Sequence, residues 1–275
     1  MQLFVPNTCV KLKMENQKQH PDVTSLLGSH TSQTPFVCCA VDVHSVTGVP
    51  HRELSYESSA LSEAITQLRR AITVHHINPE IHSRIQGLGY PKLPRFPVSD
   101  KTRKGNLAEV FLAEYVSSVA EASLPVYRLR YNPNVEQSMK GDDVLVFDFE
   151  SEPVRILVGE AKFRGTPSRA AVVGIVDALV RSHKAGLPVS LQFVADRLFE
   201  ANQDEMGKRV MECAQLFASE KLDRLYVGLL MSNTNVAGHI NTNSTNNLRN
   251  LVMISLGLED PANFVSSCYE NLEGE

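Results

Sequence analysis

The sequence predicts an α/β fold, a mixed β-sheet with helices on both faces. Three observations carry that expectation. From Gly105 onward the periodic segments run helix, three strands, helix, strand, an order that places helices over a sheet. The strand segments are short apolar runs bounded by turn residues, such as DVLVFDF and VRILVGEAK on either side of Glu150-Ser151-Glu152-Pro153. The 275 residues are 43% hydrophobic and 21% charged, which is enough apolar side chain for a sizeable core.

Taken in order, residues 1–34 are polar and carry no assignment. Phe36 to Val43 (FVCCAVDV) reads as a buried strand. Ser58 to His75 has helical spacing, with Leu61, Ala64, Ile65, Leu68 and Ile72 on one stripe. Gly87, Gly89, Pro91, Pro94 and Pro97 then crowd a connector. It separates an N-terminal α/β extension, residues 1–95, from a main domain, residues 96–275. Gly105 to Ala122 reads as a helix and Pro125 to Tyr131 as a strand. Asp143 to Phe149 and Val154 to Lys162 form a hairpin. Ser168 to His183 is a helix, Val189 to Ala195 a strand, Glu200 to Lys221 a helix and Leu225 to Met231 a strand. Asn233 to Asn250 reads as a polar loop. Leu251 to Leu256 is the last strand, followed by a short helix.

The net charge of −4 argues against coating nucleic acid through bulk charge and leaves room for a local basic surface. No apolar run approaches the roughly 18–20 residues that cross a bilayer, and Met1 to Val10 lack the pattern of a signal peptide. Cys9, Cys38, Cys39, Cys213 and Cys268 form no CxxC pair and read as free thiols in a reducing cytoplasm, Cys38 and Cys39 as buried packing. His75, His76 and His82 match no metal-ligand spacing.

The hairpin carries the chemistry. With its turn centred between Ser151 and Glu152, Asp143 sits opposite Glu160. Alternation then puts Asp143, Glu160 and Lys162 on one face at one end. The same face continues as Leu145, Phe147, Val158 and Ile156, which should lie under a helix, while Asp142 should point the other way. Two carboxylates facing each other across a ladder repel, and Lys162 relieves this only in part. A divalent cation held by one or two carboxylates relieves it fully. Glu109 lies on the preceding helix, with Leu112 and Val116 on its face, so it should point inward. A buried Glu without a partner costs several kcal/mol, and a metal or metal-held water would suit it.

A Glu on a first helix, Gly141-Asp142-Asp143 at the start of one strand and Glu160-Ala161-Lys162 near the end of the next resemble the PD-(D/E)xK nuclease superfamily. The usual Pro before the Asp is absent. The resemblance implies a restriction-endonuclease-like core (αβββαβ) and metal-dependent cleavage of DNA. It makes Asp143, Glu160, the Ala161 carbonyl and Glu109 the ligands of Mg²⁺ or Mn²⁺, and Lys162 the residue that positions the attacking water. The segments KGNLAEVFLAEYV, MKGDDVLVFD and ILVGEAKFRGTPSRAAVVGIVDAL also resemble HamA, the nuclease family of Hachiman anti-phage defence systems. That resemblance implies a superfamily 2 helicase partner, HamB. The sequence has no GxxxxGK[ST] loop, so any ATP-driven step must come from such a partner.

Lys101, Arg103, Lys104, Lys140, Arg164 and Arg169 flank the hairpin acids and are candidates for phosphate contacts, with Arg128 and Arg130 nearby. Residues 90–184 hold 14 basic and 12 acidic side chains, so the expectation rests on placement rather than excess. The alternative reading is a non-catalytic nucleic-acid-binding or scaffolding subunit that keeps a nuclease fold.

Overall fold

The computed structural model describes residues 23–29, 36–89, 94–245 and 248–272. Among these the chain runs α1 (Val23–Leu27), β1 (Cys39–His44), β2 (Pro50–Ser55), α2 (Leu61–His75), α3 (Pro79–Gly87) and α4 (Asp100–Val119). A 3₁₀ turn (Arg128–Tyr131), β3 (Val144–Asp148) and β4 (Arg155–Phe163) follow. Then come α5 (Arg169–Ala185), α6 (Ser190–Glu200), α7 (Asp204–Ala218), β5 (Asp223–Asn233), α8 (Val236–Asn243), β6 (Leu251–Leu258) and α9 (Pro261–Tyr269).

The strands form one mixed sheet of order β1-β2-β6-β5-β4-β3. The two edge hairpins, β1–β2 and β3–β4, are antiparallel; β2, β6, β5 and β4 are parallel neighbours. Alternation along the strands divides the core between the two faces. Val144, Val146, Leu157, Val227, Leu229 and Ile254 pack with Leu68 of α2, Leu107, Phe111 and Leu112 of α4 and Val265 of α9. On the other face Leu145, Phe147, Ile156 and Val158 pack with Val172 and Ile175 of α5, Leu191 and Val194 of α6 and Val210 of α7. The stripe read from the hairpin therefore lies under helices as expected.

Several local expectations are corrected. Phe36–Val43 is not a buried strand: β1 is an edge strand, with Val41 60% exposed. Phe36 leaves extended geometry, with φ 73°, and stacks its buried ring 5.0 Å from that of Phe111. Cys38 is buried but Cys39 is exposed. Pro125–Tyr131 is not a strand: only Ser123 bridges to Phe147, and the chain then turns as 3₁₀. Val189–Ala195 opens α6, whose Leu191, Val194, Ala195 and Leu198 are buried at helical spacing. The Asn-rich stretch contains α8, and an unforeseen α3 ends at Gly87, where the Gly/Pro-rich connector begins. The polar strand β2 was not foreseen; its parallel pairing with β6 adds residues 39–55 to the sheet.

Candidate functional site

The site begins with a tight approach of helix to sheet. Nearly every residue of α4 from Asn106 to Val116 is buried, because the helix is covered by α2, α9 and the sheet. At Gly159 a Cβ would fall 2.8 Å from Val144 Cβ and 2.9 Å from Leu112 Cδ2, so glycine is what lets α4 lie against β4. That contact holds Glu109, one turn before Leu112, beside the end of the hairpin. Gly141 supplies the second local requirement. Its φ of 110° turns the chain into β3 immediately before the acids, and a Cβ there would meet Ser190 Oγ at 2.9 Å.

The hairpin register is the one read from the sequence. Val144 pairs with Gly159, which places Asp143 opposite Glu160 one step beyond. Asp143 Oδ2 accepts from the Ala161 N–H at 3.0 Å, and Lys162 Nζ lies 2.9 Å from Glu160 Oε1. Asp142 diverges from its neighbour: its carboxylate accepts from Ser182 Oγ of α5 at 2.8 Å and from the Ser190 N–H of α6 at 3.4 Å.

Glu109 points inward, with 10% of its side chain exposed, and Arg128 lies against it. Arg128 Nε donates to Glu109 Oε1 at 3.1 Å and Nη2 to Oε2 at 3.3 Å. The same guanidinium lies 3.6 Å from Asp143 Oδ1 and donates to the carbonyls of Asp142 and Met139. One buried cation thus serves two carboxylates and pins the turn before β3. Burial pushes the Glu109 carboxyl up to about 8, against the opposing pull of Arg128. Burial, followed by the charge of Glu160, pushes Asp143 up to about 6, with Arg128 and the Ala161 N–H acting in the other direction.

These groups open onto one cleft of about 1090 Å³, lined by Lys101, Lys104, Glu109, Arg128, Asp143, Glu160, Ala161, Lys162 and Arg164, among others. Three of the six basic candidates therefore share the cleft with the acids. Arg103 does not line it: Nε donates to the Pro97 carbonyl at 2.8 Å, and the guanidinium lies 5.5 Å from the Tyr269 ring centroid. Lys140 and Arg169 are exposed outside its lining.

Among the described residues no three His, Cys, Asp or Glu side chains converge as a metal cage made by protein alone. The donors do fit Mg²⁺ or Mn²⁺, which bind through one or two carboxylates and keep several waters. Among the described residues Glu109, Asp143 and Glu160 meet Arg128 and Lys162, three acids against two cations. Asp143, Glu160 and the Ala161 carbonyl are the groups that would hold the ion.

Sequence reasoning counted Arg128 among the peripheral charges and missed its interior place. Its partners lie on α4 and on residues 139–143, and no spacing rule joins them. The two adjacent histidines also have partners inside: His75 Nε2 lies 2.7 Å from Glu114 Oε1, and His76 Nδ1 lies 2.8 Å from the Ile72 carbonyl.

Comparison with known proteins places the chain as a whole. The model of the HamA family matches residues 35–272, a span that includes every residue named in this cleft. A Hachiman protein HamA from Bacillus cereus is 38% identical over 234 residues, covering 81% of this chain and 84% of that protein. The chain belongs to the HamA family.

Proposed function

We propose that this protein is a Mg²⁺- or Mn²⁺-dependent deoxyribonuclease of the PD-(D/E)xK type, and the effector subunit of an anti-phage defence complex. The observation that carries the reading is the meeting of Asp143, Glu160 and Lys162 on the floor of a cleft whose walls present Lys101, Lys104 and Arg164. Carboxylates beside a lysine under a basic rim suit phosphodiester hydrolysis better than they suit structural packing. The succession α4, β3, β4, α5, with β5 parallel to β4, supports a restriction-endonuclease-like core.

Asp143 and Glu160, with the Ala161 carbonyl, would hold the divalent cation. When bound, it supplies Lewis acidity to the scissile phosphate and a water of lowered pKa. Lys162 positions the attacking water and offsets the charge that develops on the phosphoryl oxygens. Glu109 orients an outer water or assists a second ion. Lys101, Lys104 and Arg164 take the flanking phosphates and fix the register of the strand. The defence role follows from the name of the Bacillus cereus relative, a Hachiman protein. A superfamily 2 helicase of the HamB kind supplies the ATP-driven step, and residues 1–95 offer it a docking region.

One observation favours a rival, a non-catalytic DNA-binding module. Glu109, Asp143 and Glu160 each already have a cation at 2.9 to 3.6 Å. Cleavage of plasmid and linear DNA in Mg²⁺ or Mn²⁺, with and without the co-expressed helicase, separates the two. The nuclease reading expects cutting by the wild type and none by Lys162→Ala or Glu160→Ala. Equal cutting by all three would refute these roles.

A further inference from the structure

Arg128 is the most heavily used side chain in the cleft. Its guanidinium meets both carboxylate oxygens of Glu109, one oxygen of Asp143 and two backbone carbonyls, with 10% of the side chain exposed. The planar guanidinium matches a single carboxylate through its two-pronged fork. Arg128 makes that fork with Glu109 and still reaches Asp143, at 3.6 Å, longer than its bonds to Glu109. The Asp143 contact is therefore the loosest of the set, and Asp143 is also the acid placed to ligate a cation.

We propose that Arg128 is a built-in counter-cation that holds Asp143 and Glu109 together in the metal-free protein and competes with the divalent ion for Asp143. It is a positioning residue, acting on the acids rather than on substrate. The physical ground is simple. Acids brought together by the fold repel unless a positive charge stands between them, and a guanidinium does this without a metal. The same charge repels an arriving dication and occupies one of the oxygens the ion needs. With an ion bound, Arg128 would keep its fork on Glu109 and release Asp143. It lines the open cleft, so it has room to turn.

This inference rests on the metal-binding reading, and the test separates the two. Mn²⁺ affinity is measured on the full metal-free chain by loss of the free-ion EPR signal at pH 8.0 and fixed ionic strength. Wild type, Arg128→Met and Arg128→Lys are compared, with thermal unfolding in parallel. Removing the competing charge is expected to tighten Mn²⁺ binding by about tenfold in Arg128→Met, with Arg128→Lys in between. Metal-free Arg128→Met should melt lower than wild type, and a given Mn²⁺ concentration should raise its Tm by more. A residue that only props up the turn would give unchanged or weaker binding on removal, and that result overturns the proposal. No Mn²⁺ binding at millimolar concentration by either wild type or variant would overturn the metal reading and the inference together. If Arg128→Met does not fold, the uncharged Arg128→Gln carries the comparison, and affinity equal to or below wild type overturns the proposal.

Discussion

Opposite edges of the same sheet each bury an arginine, and the two are used differently. On β2, Arg52 turns its guanidinium on a single carboxylate: Nε meets Asp42 Oδ1 at 2.5 Å and Nη2 meets Oδ2 at 2.8 Å, with the Gly28 carbonyl at 3.0 Å from Nη2. Asp42 keeps 34% of its side chain in water, so charge is balanced and partly solvated. Across the sheet, Arg128 is shared between Glu109 and Asp143, which are 10% and 22% exposed, with Glu160 close behind. The balanced pair ties β1 to β2 and the chain before them. The overloaded one answers two acids at the floor of a cleft. Burial of an arginine alone says little; the number of acids it must answer separates structural from chemical use.

The sharpest test of that contrast is at the acidic edge. Lys162→Ala should lower the cleavage rate by roughly 10²–10³-fold while Tm stays near wild type, since the side chain is 22% exposed. At the balanced edge the effect should fall on stability alone. Arg52→Met should cost about 3 kcal/mol, the low end for breaking a buried pair because Asp42 is partly solvated, and should leave Mn²⁺ affinity unchanged. A change in Mn²⁺ affinity matching that of Arg128→Met would erase the distinction between the edges. Gly159→Ala should cost about 1–3 kcal/mol in denaturant unfolding, because its Cβ drives Leu112 away from the sheet, and should reduce cleavage as Glu109 moves with it.

The pH dependence follows from the same crowding. The carboxyls of Asp143 and Glu109 are raised to about 6 and about 8, so the folded state binds protons that the unfolded chain releases. Their contribution to stability is complete below the ordinary carboxyl range and is lost as pH rises through those two values. Metal-free protein should therefore weaken steadily between about pH 4 and pH 8 in thermal unfolding, and Asp143→Asn should remove the lower part of that slope. Saturating Mn²⁺ should reverse the trend, since the ion needs the ionised forms. The smallest effect is at the rim. Lys101→Ala should weaken DNA binding a few-fold and reduce the slope of log K against log salt by about 0.9, whereas Arg103→Ala should leave that slope alone.

The acidic edge was largely legible in the sequence because its information is local. The tetrapeptide turn fixes the register of β3 on β4, alternation fixes the face, and Leu112 and Val116 around Glu109 mark an inward helix position. The other edge was not, because its partners are remote. β2 reads PHRELS, too polar for a buried strand until His51 meets Asn241 at 2.6 Å and Ser255 at 2.8 Å, about two hundred residues away. Arg128 failed for a related reason: its segment has the composition of a strand, and only the packing of α4 and residues 139–143 around it shows that it turns inward. In α6 a short apolar window favoured a strand, and the helical period appears only when Leu198 is included.

The strand order also sets a timetable. β6 lies between β5 and β2, so the N-terminal hairpin has no seat in the sheet until residues 251–258 have been made. The acid-bearing hairpin closes within about twenty residues, while β2 must wait for a partner about two hundred residues further on. During synthesis the protein therefore carries a nascent β3–β4 hairpin well before its sheet is finished, and a ribosome that stalls before residue 251 leaves β1 and β2 with each other alone.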